Sequence, residues 1–195
     1  MKKILLLCFI TVSACQTIYA SEIGLGVAIH GPRYSINIPI AVSQDYRVEG
    51  YMSYYGTKSD DGGHVSEDLH YEVGAGIFKL LQENRHTLYY GARLGLADDE
   101  RKISYSSTVL VGGGGAIATV ENTDTNLKGY VVAPVVGFEY SMTDHISIGG
   151  EISYFYQYLK GVVTTSNAIG TSFPDTNANQ TYQGTTTRVL LRYYF

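Results

Sequence analysis

The chain has 195 residues, with 14 Lys and Arg against 18 Asp and Glu, a formal net charge of −4, 18 tyrosines and no tryptophan. This acidic balance argues against a nucleic-acid partner, because phosphate binding relies on clustered Lys and Arg. Mean hydropathy is near zero, and past the N-terminus there is no run of about eighteen apolar residues, which excludes a helical membrane protein but not a β-barrel, whose strands show lipid only at every second residue.

Residues 1–20, MKKILLLCFITVSACQTIYA, carry Lys2 and Lys3, an apolar run from Ile4 to Val12 and small residues at Ala14 and Ala20, the layout of a secretory signal peptide. The apolar run, about ten residues, is too short to span a bilayer as a helix, which needs about twenty. Val12-Ser13-Ala14-Cys15 resembles a lipobox, in which Cys15 would be lipidated, and Ile18-Tyr19-Ala20 is an ordinary cleavage site. Cleavage after Ala20 is preferred, because Val is less usual than Leu at the outer lipobox position and a barrel needs no lipid anchor. Both cysteines, Cys8 and Cys15, lie in the signal, so residues 21–195 form one domain without a disulfide framework. Without Lys2 and Lys3, twelve basic residues face eighteen acids, a net charge of −6.

A period of two marks eight segments in that domain, each near the nine to eleven residues of a tilted membrane strand. The first, Glu22 to His30, puts Ile23, Leu25, Val27 and Ile29 on one face. Pro32 marks a tight turn into the second, Tyr34 to Val42, with Ile36, Ile38 and Ile40 together. The third, Tyr46 to Tyr55, carries Val48 and Met52 between Tyr46 and Tyr54, apolar in the middle and aromatic at both ends, as lipid-facing strands are. Leu69 to Phe78 and Thr87 to Leu96 follow, the latter with Leu88, Tyr90, Leu94 and Leu96 opposite Tyr89 and Arg93. Gly129 to Tyr140 is apolar on both faces, and its phase is set by turning Glu139 inward. Ile146 to Tyr156 and Thr187 to Phe195 alternate cleanly again.

The expected fold is all-β: an eight-stranded antiparallel up-and-down transmembrane β-barrel with short periplasmic turns and longer extracellular loops. The short connections are Ser43 to Asp45, Lys79 to His86 and Ser141 to His145. The long ones are Gly56 to Asp68, Ala97 to Lys128 and Gln157 to Thr186, with a short first outer loop, His30 to Arg33, as the exception. Closure is required because hydrocarbon offers no water to unpaired backbone groups. Pro39 and Pro134 each remove a ladder donor, so bulges are expected near them.

With this phase the inward charges are Arg47, Glu49, Glu72, Arg93, Glu139, Glu151, Arg188 and Arg192, four of each sign. Charges in a narrow lumen are costly unless paired, so a network that plugs the lumen is expected. Pairing Lys79 with His86 would set Glu72 against Arg93.

Ala133-Pro134-Val135-Val136-Gly137-Phe138-Glu139-Tyr140, then Asp144-His145-Ile146-Ser147-Ile148-Gly149-Gly150-Glu151, resembles a signature of the outer membrane β-barrel family of OmpA-like and OmpX-like proteins. The last strand, with Val189, Leu191, Tyr193 and Phe195 outward and Arg188 and Arg192 inward, resembles the signal by which the barrel-assembly machinery recognises its clients. The resemblance implies outer membrane localisation, delivery by periplasmic chaperones, insertion by that machinery, and lipid and lipopolysaccharide as surroundings. The expected role is structural or surface interaction, with a host or surface ligand reached through the loops. The alternative is a narrow porin-like channel or small-solute binder.

A lipid A-modifying enzyme is the third reading, because His145-Ile146-Ser147 with Glu151 has the spacing of a His-x-Ser pair, and on a strand the two would share a face. Its short-turn position puts it on the periplasmic side, so no catalytic residue is expected. No metal or cofactor is expected either: His30, His64, His70 and His86 lack ligand spacing, Gly112 to Gly115 lacks the Lys-Ser/Thr of a phosphate cradle, and Asp60-Asp61 and Asp98-Asp99-Glu100 read as solvated loops.

Overall fold

In a computed structural model, residues 22–31, 33–111, 115–167 and 173–195 are described. The expected export signal with its two candidate cleavage points, Pro32, and Gly112 to Gly114 of the glycine run lie outside the described residues. Eight antiparallel strands form one closed ring: β1 (Gly24–His30), β2 (Arg33–Ala41), β3 (Tyr46–Asp60), β4 (His64–Glu83), β5 (His86–Val111), β6 (Gly115–Ser141), β7 (Ile146–Asn167) and β8 (Thr176–Tyr194). Each pairs with its sequence neighbour, and β1 pairs with β8 from Gly24↔Tyr194 to Ile29↔Val189. Ring closure leaves no sheet edge at the level of β1, the condition for strands to sit in lipid.

The two faces of the ring are inverted relative to a water-soluble protein. Leu25, Val27, Ile38, Met52, Leu94, Val136 and Leu191 point outward and are exposed, whereas Arg47, Glu49, Arg93, Glu139, Glu151 and Arg192 are buried inside. Tyr34, Tyr54 and Tyr71 form one outward cross-strand row, with Tyr54 and Tyr71 ring centroids 5.2 Å apart. Near the chain termini, Tyr46, Phe138, Tyr193 and Phe195 also point outward and are exposed. An apolar band between two aromatic girdles is the outer surface of a transmembrane barrel.

The long connections expected from sequence are largely strand. Gly56 to Asp60 continues β3 and His64 to Asp68 belongs to β4, leaving Asp61 to Gly63 between them. Ala97 to Lys128 is mostly taken up by β5 and β6, which pair from His86↔Tyr140 to Val111↔Gly115. At about 3.3 Å per residue, β5 with its 26 residues is far longer than the bilayer needs. Outside lipid a ladder does not require an apolar face, so Ser, Thr and Asn alternation sustains it. Cross-strand partners such as Asp98 and Lys128, 3.0 Å apart, add support. The acidic run Asp98-Asp99-Glu100 is therefore strand, not loop.

Two further expectations are corrected. The β4–β5 hairpin turns at Asn84-Arg85, with Glu83 opposite His86 and Asn84 at φ 54°. A two-residue hairpin turn of this hand needs positive φ, which Asn tolerates. Lys79 accordingly faces Tyr90, Arg93 faces Gly76, and Glu72 faces Ala97. The shift is even, so each side chain keeps its face, but Glu72 and Arg93 are not partners. At the prolines no residue is bulged out. The β6–β7 ladder is interrupted between Val132↔Tyr156 and Val135↔Ser153 and resumes in the same register. Beside Pro39, the Ile23↔Ile40 bridge keeps the register of Gly26↔Asn37. Losing one N–H donor there opens a gap without changing the residue count.

Two of the turns near the termini share a device. Ser43 Oγ accepts from the backbone N–H of Asp45 and Tyr46, and Thr143 Oγ1 accepts from those of His145 and Ile146. A short side-chain hydroxyl thus substitutes for the backbone acceptor the turn lacks.

Candidate functional site

The alternation that puts aliphatic residues in lipid turns Arg47, Glu49, Glu72, Arg93, Glu139, Glu151, Arg188 and Arg192 inward, and seven of the eight join in one alternating chain. Arg47 Nη1 donates to Glu139 Oε2 at 2.8 Å. Glu139 also accepts from Arg192 Nη1, whose Nη2 donates to Glu49 Oε2 at 2.7 Å. Glu49 Oε1 takes Arg93 Nη2 at 2.6 Å. Arg93 holds Glu151 through both its terminal nitrogens, and Arg188 Nε stands 3.6 Å from Glu151. Both oxygens of Glu49, Glu139 and Glu151 are engaged, the condition under which buried carboxylates are tolerated. Glu72 stands apart, accepting from Tyr51 Oη at 2.6 Å.

Residues that the charge pattern did not single out complete the network. Tyr194 and Ser147 donate to Glu139, Tyr89 to Glu151, and Arg192 Nε to Asn37. Arg47 lies 4.5 Å from the centroid of the Tyr89 ring and Arg93 lies 5.1 Å from that of Phe78. Arg47 Nε and Nη2 and Arg93 Nε, which have no hydrogen-bond partner, belong to guanidiniums that face these rings, where a cation finds a substitute for water. The inward parity of these positions was the available signal. Glycines supply the space: at Gly137 a Cβ would enter the Tyr89 ring, and at Gly26 it would meet Asn37 and Arg192.

Above the network, at the end away from the termini, the lumen opens. A cavity of about 40 Å³ is lined by His30, Arg33, Ser53, Ser153 and Arg188 among others. It continues past Arg33, Phe155 and Gln157 into a vestibule of about 350 Å³ bounded by Asp68, His70, Asp99, Arg101 and Tyr182. Arg101 pairs with Asp68 at 3.1 Å. His70 stands 3.9 Å from both Glu72 and Asp99.

His145 and Ser147 do not share a face. His145 lies in the turn, its ring stacked 5.8 Å from that of outward-facing Tyr193, while Ser147 is buried and donates to Glu139. The nucleophile–base contact required for catalysis is not formed. Among the described residues, no group of three or more His, Cys, Asp or Glu is placed to hold a metal ion.

No family model matches the sequence, and no curated protein resembles it in sequence. Solved structures resemble it in shape. A major outer membrane protein from Thermus thermophilus superposes with a TM-score of 0.59 at 8% identity, over 91% of this chain and 100% of that one. The outer membrane protease OmpT from Escherichia coli gives 0.50 at 14% identity, over 84% of this chain and 63% of that one. Ail, the attachment invasion locus protein of Yersinia pestis, gives 0.44 at 13% identity, over 89% and 93%. The chain has the closed-ring fold of outer membrane β-barrel proteins, here built from eight strands, with a lipid-facing exterior of its own.

Proposed function

We propose that this is an outer membrane barrel with a structural or surface-interaction role, exported by residues 1–20 and closed to ions by its lumen network. The observation that carries the reading is the chain Arg47–Glu139–Arg192–Glu49–Arg93–Glu151–Arg188. An aqueous channel would hydrate these groups singly, whereas here acids and bases alternate at ion-pair distance. The short-turn end would face the periplasm, and the extended β3 to β8 strands would rise among lipopolysaccharide and meet a host or surface ligand. Val189, Leu191, Tyr193 and Phe195 would serve the barrel-assembly machinery and its chaperones during biogenesis. No catalytic role is assigned.

Single-channel recording of the refolded protein in planar lipid tests the closed lumen. The expected record is a flat baseline with at most rare, small events. A large, stable ohmic conductance would establish the narrow-channel alternative instead.

A further inference from the structure

Arg33, His30 and Arg188 form one basic row on the inner wall at the lumen's mouth. His30 pairs with Arg33 across β1 and β2, and Arg188 lies one step beyond Ile29↔Val189 on β8. Their neighbours leave the two guanidiniums poorly compensated. Among the described residues no carboxylate stands within ion-pair distance of Arg33, which packs 5.6 Å from the centroid of the Tyr55 ring. Among the described residues the one carboxylate at ion-pair distance from Arg188 is Glu151, at 3.6 Å, and Glu151 is already held at both oxygens by Arg93. His30 is engaged by Thr186 Oγ1.

The adjoining strand β7, paired with β8 from Ile146↔Tyr193 to Val163↔Thr176, supplies unmet hydrogen-bonding capacity. On β7, Ser153 and Gln157 are 3% and 5% exposed, and Ser153 Oγ and Gln157 Nε2 have no hydrogen-bond partner. Both side chains line the 40 Å³ cavity, and Gln157 also lines the vestibule. Phe155, between them on the same strand face, adds an apolar ring to both spaces. Of the acids opposite, Glu72 accepts from Tyr51 Oη, Asp68 pairs with Arg101, and Asp99 stands 3.9 Å from His70. A cavity of about 40 Å³ holds a carboxylate or phosphate, or a few waters in its place.

We propose that the basic row, with Ser153 and Gln157, is a binding site for a hydroxylated anion of the sugar-acid or sugar-phosphate class. The anionic group sits on Arg33 and Arg188, and the hydroxyl-bearing body lies in the vestibule against Gln157, Gln180 and Tyr182. Arg suits this role because its planar donor fork matches carboxylate and phosphate oxygens. Access is open on one side. Above the row, β8 and β3 continue while β1 ends at His30 and β2 begins at Arg33, so among the described residues no strand closes the wall there. The site rests on the lumen being closed beneath it, and equilibrium binding, unlike conductance, tests the site separately.

The experiment is calorimetric titration of the refolded barrel in detergent micelles with glucuronate, glucose 6-phosphate and glucose, with circular dichroism as the folding control. Both anions are expected to bind saturably, and neutral glucose at least about tenfold more weakly. Arg33→Gln and Arg188→Gln should each weaken the anions by about tenfold or more, while Lys160→Gln, on the outer face of β7, changes nothing. Should Arg188→Gln fail to refold, Arg33→Gln carries the test alone. Equal affinity for glucose and glucuronate, unchanged affinity in Arg33→Gln, or no saturable binding of either anion would each overturn the site. Added lipopolysaccharide that displaces glucuronate assigns the anion to a neighbouring headgroup. Absence of displacement assigns it to a free solute, and either result supports the site.

Discussion

Glu49 is the residue on which the lumen network turns, since its two oxygens are shared between Arg93 and Arg192 and its side chain is fully buried. Glu49→Gln keeps the shape and removes the charge, leaving two buried guanidiniums short of a counter-ion. Breaking a buried pair from one side costs about 3–5 kcal/mol, so the variant should lose at least about 3 kcal/mol in reversible urea unfolding from lipid vesicles. An unchanged midpoint and slope would mean that water already compensates the arginines. The identity of the inward charges was legible from parity alone, because a period of two admits only two phases and one of them places arginines in lipid. Which acid meets which base was not legible. That depends on register and on the distance across the ring, and neither leaves a trace in local sequence. Glu72 illustrates this: its face followed from its neighbours, but its place opposite Ala97 on β5 followed from the turn at Asn84, which a short polar stretch does not fix in advance.

At the scale of the strand, the segments that cross lipid were legible and their continuations were not. Leu88 to Leu96 announces itself by apolar alternation, whereas Ala97 to Tyr105 belongs to the same strand with polar residues on its outer face. In water the ladder needs only a paired neighbour, and composition does not reveal one. The prolines show the converse: each was recognisable as a lost donor, yet the ring absorbs it as a gap in one ladder because the strand keeps its neighbour on the other side. Pro134 still faces Ala92 in the β5–β6 register. The final strand carries a prediction of its own. Phe195 is 73% exposed; its backbone N–H donates to Ile23 O at 2.9 Å, and among the described residues its ring meets that of Tyr193 alone, edge to face at 5.2 Å, so its side chain adds little to the folded ring. Deleting Phe195 should lower the amount of barrel assembled in cells several-fold while leaving refolding into vesicles nearly unchanged. Equal loss in both assays would make its role structural, and no loss in either would remove it from assembly.

The whole molecule is a ring whose seams differ greatly in length. β5 and β6 share the longest ladder, while β1 joins β8 through six register pairs and β2 through five. The first and last strands meet at one of the two short seams, so ring closure waits for β8 to arrive, however early the β5–β6 hairpin forms. In lipid an open seam exposes unpaired backbone, and the cost of opening grows with every pair released. Local opening therefore has a preferred address. In hydrogen–deuterium exchange, amides of β1 and the facing part of β8 should exchange before those in the middle of β5 and β6, which open only with the whole barrel. The opposite order would mean that the lumen network, which ties Arg192 of β8 to Glu49 and Glu139 across the ring, acts as a rivet stronger than the ladder it spans. The brevity of the first hairpin, which leaves the vestibule open on one side, thus also makes the barrel a bracelet with its clasp at one of its two thinnest links.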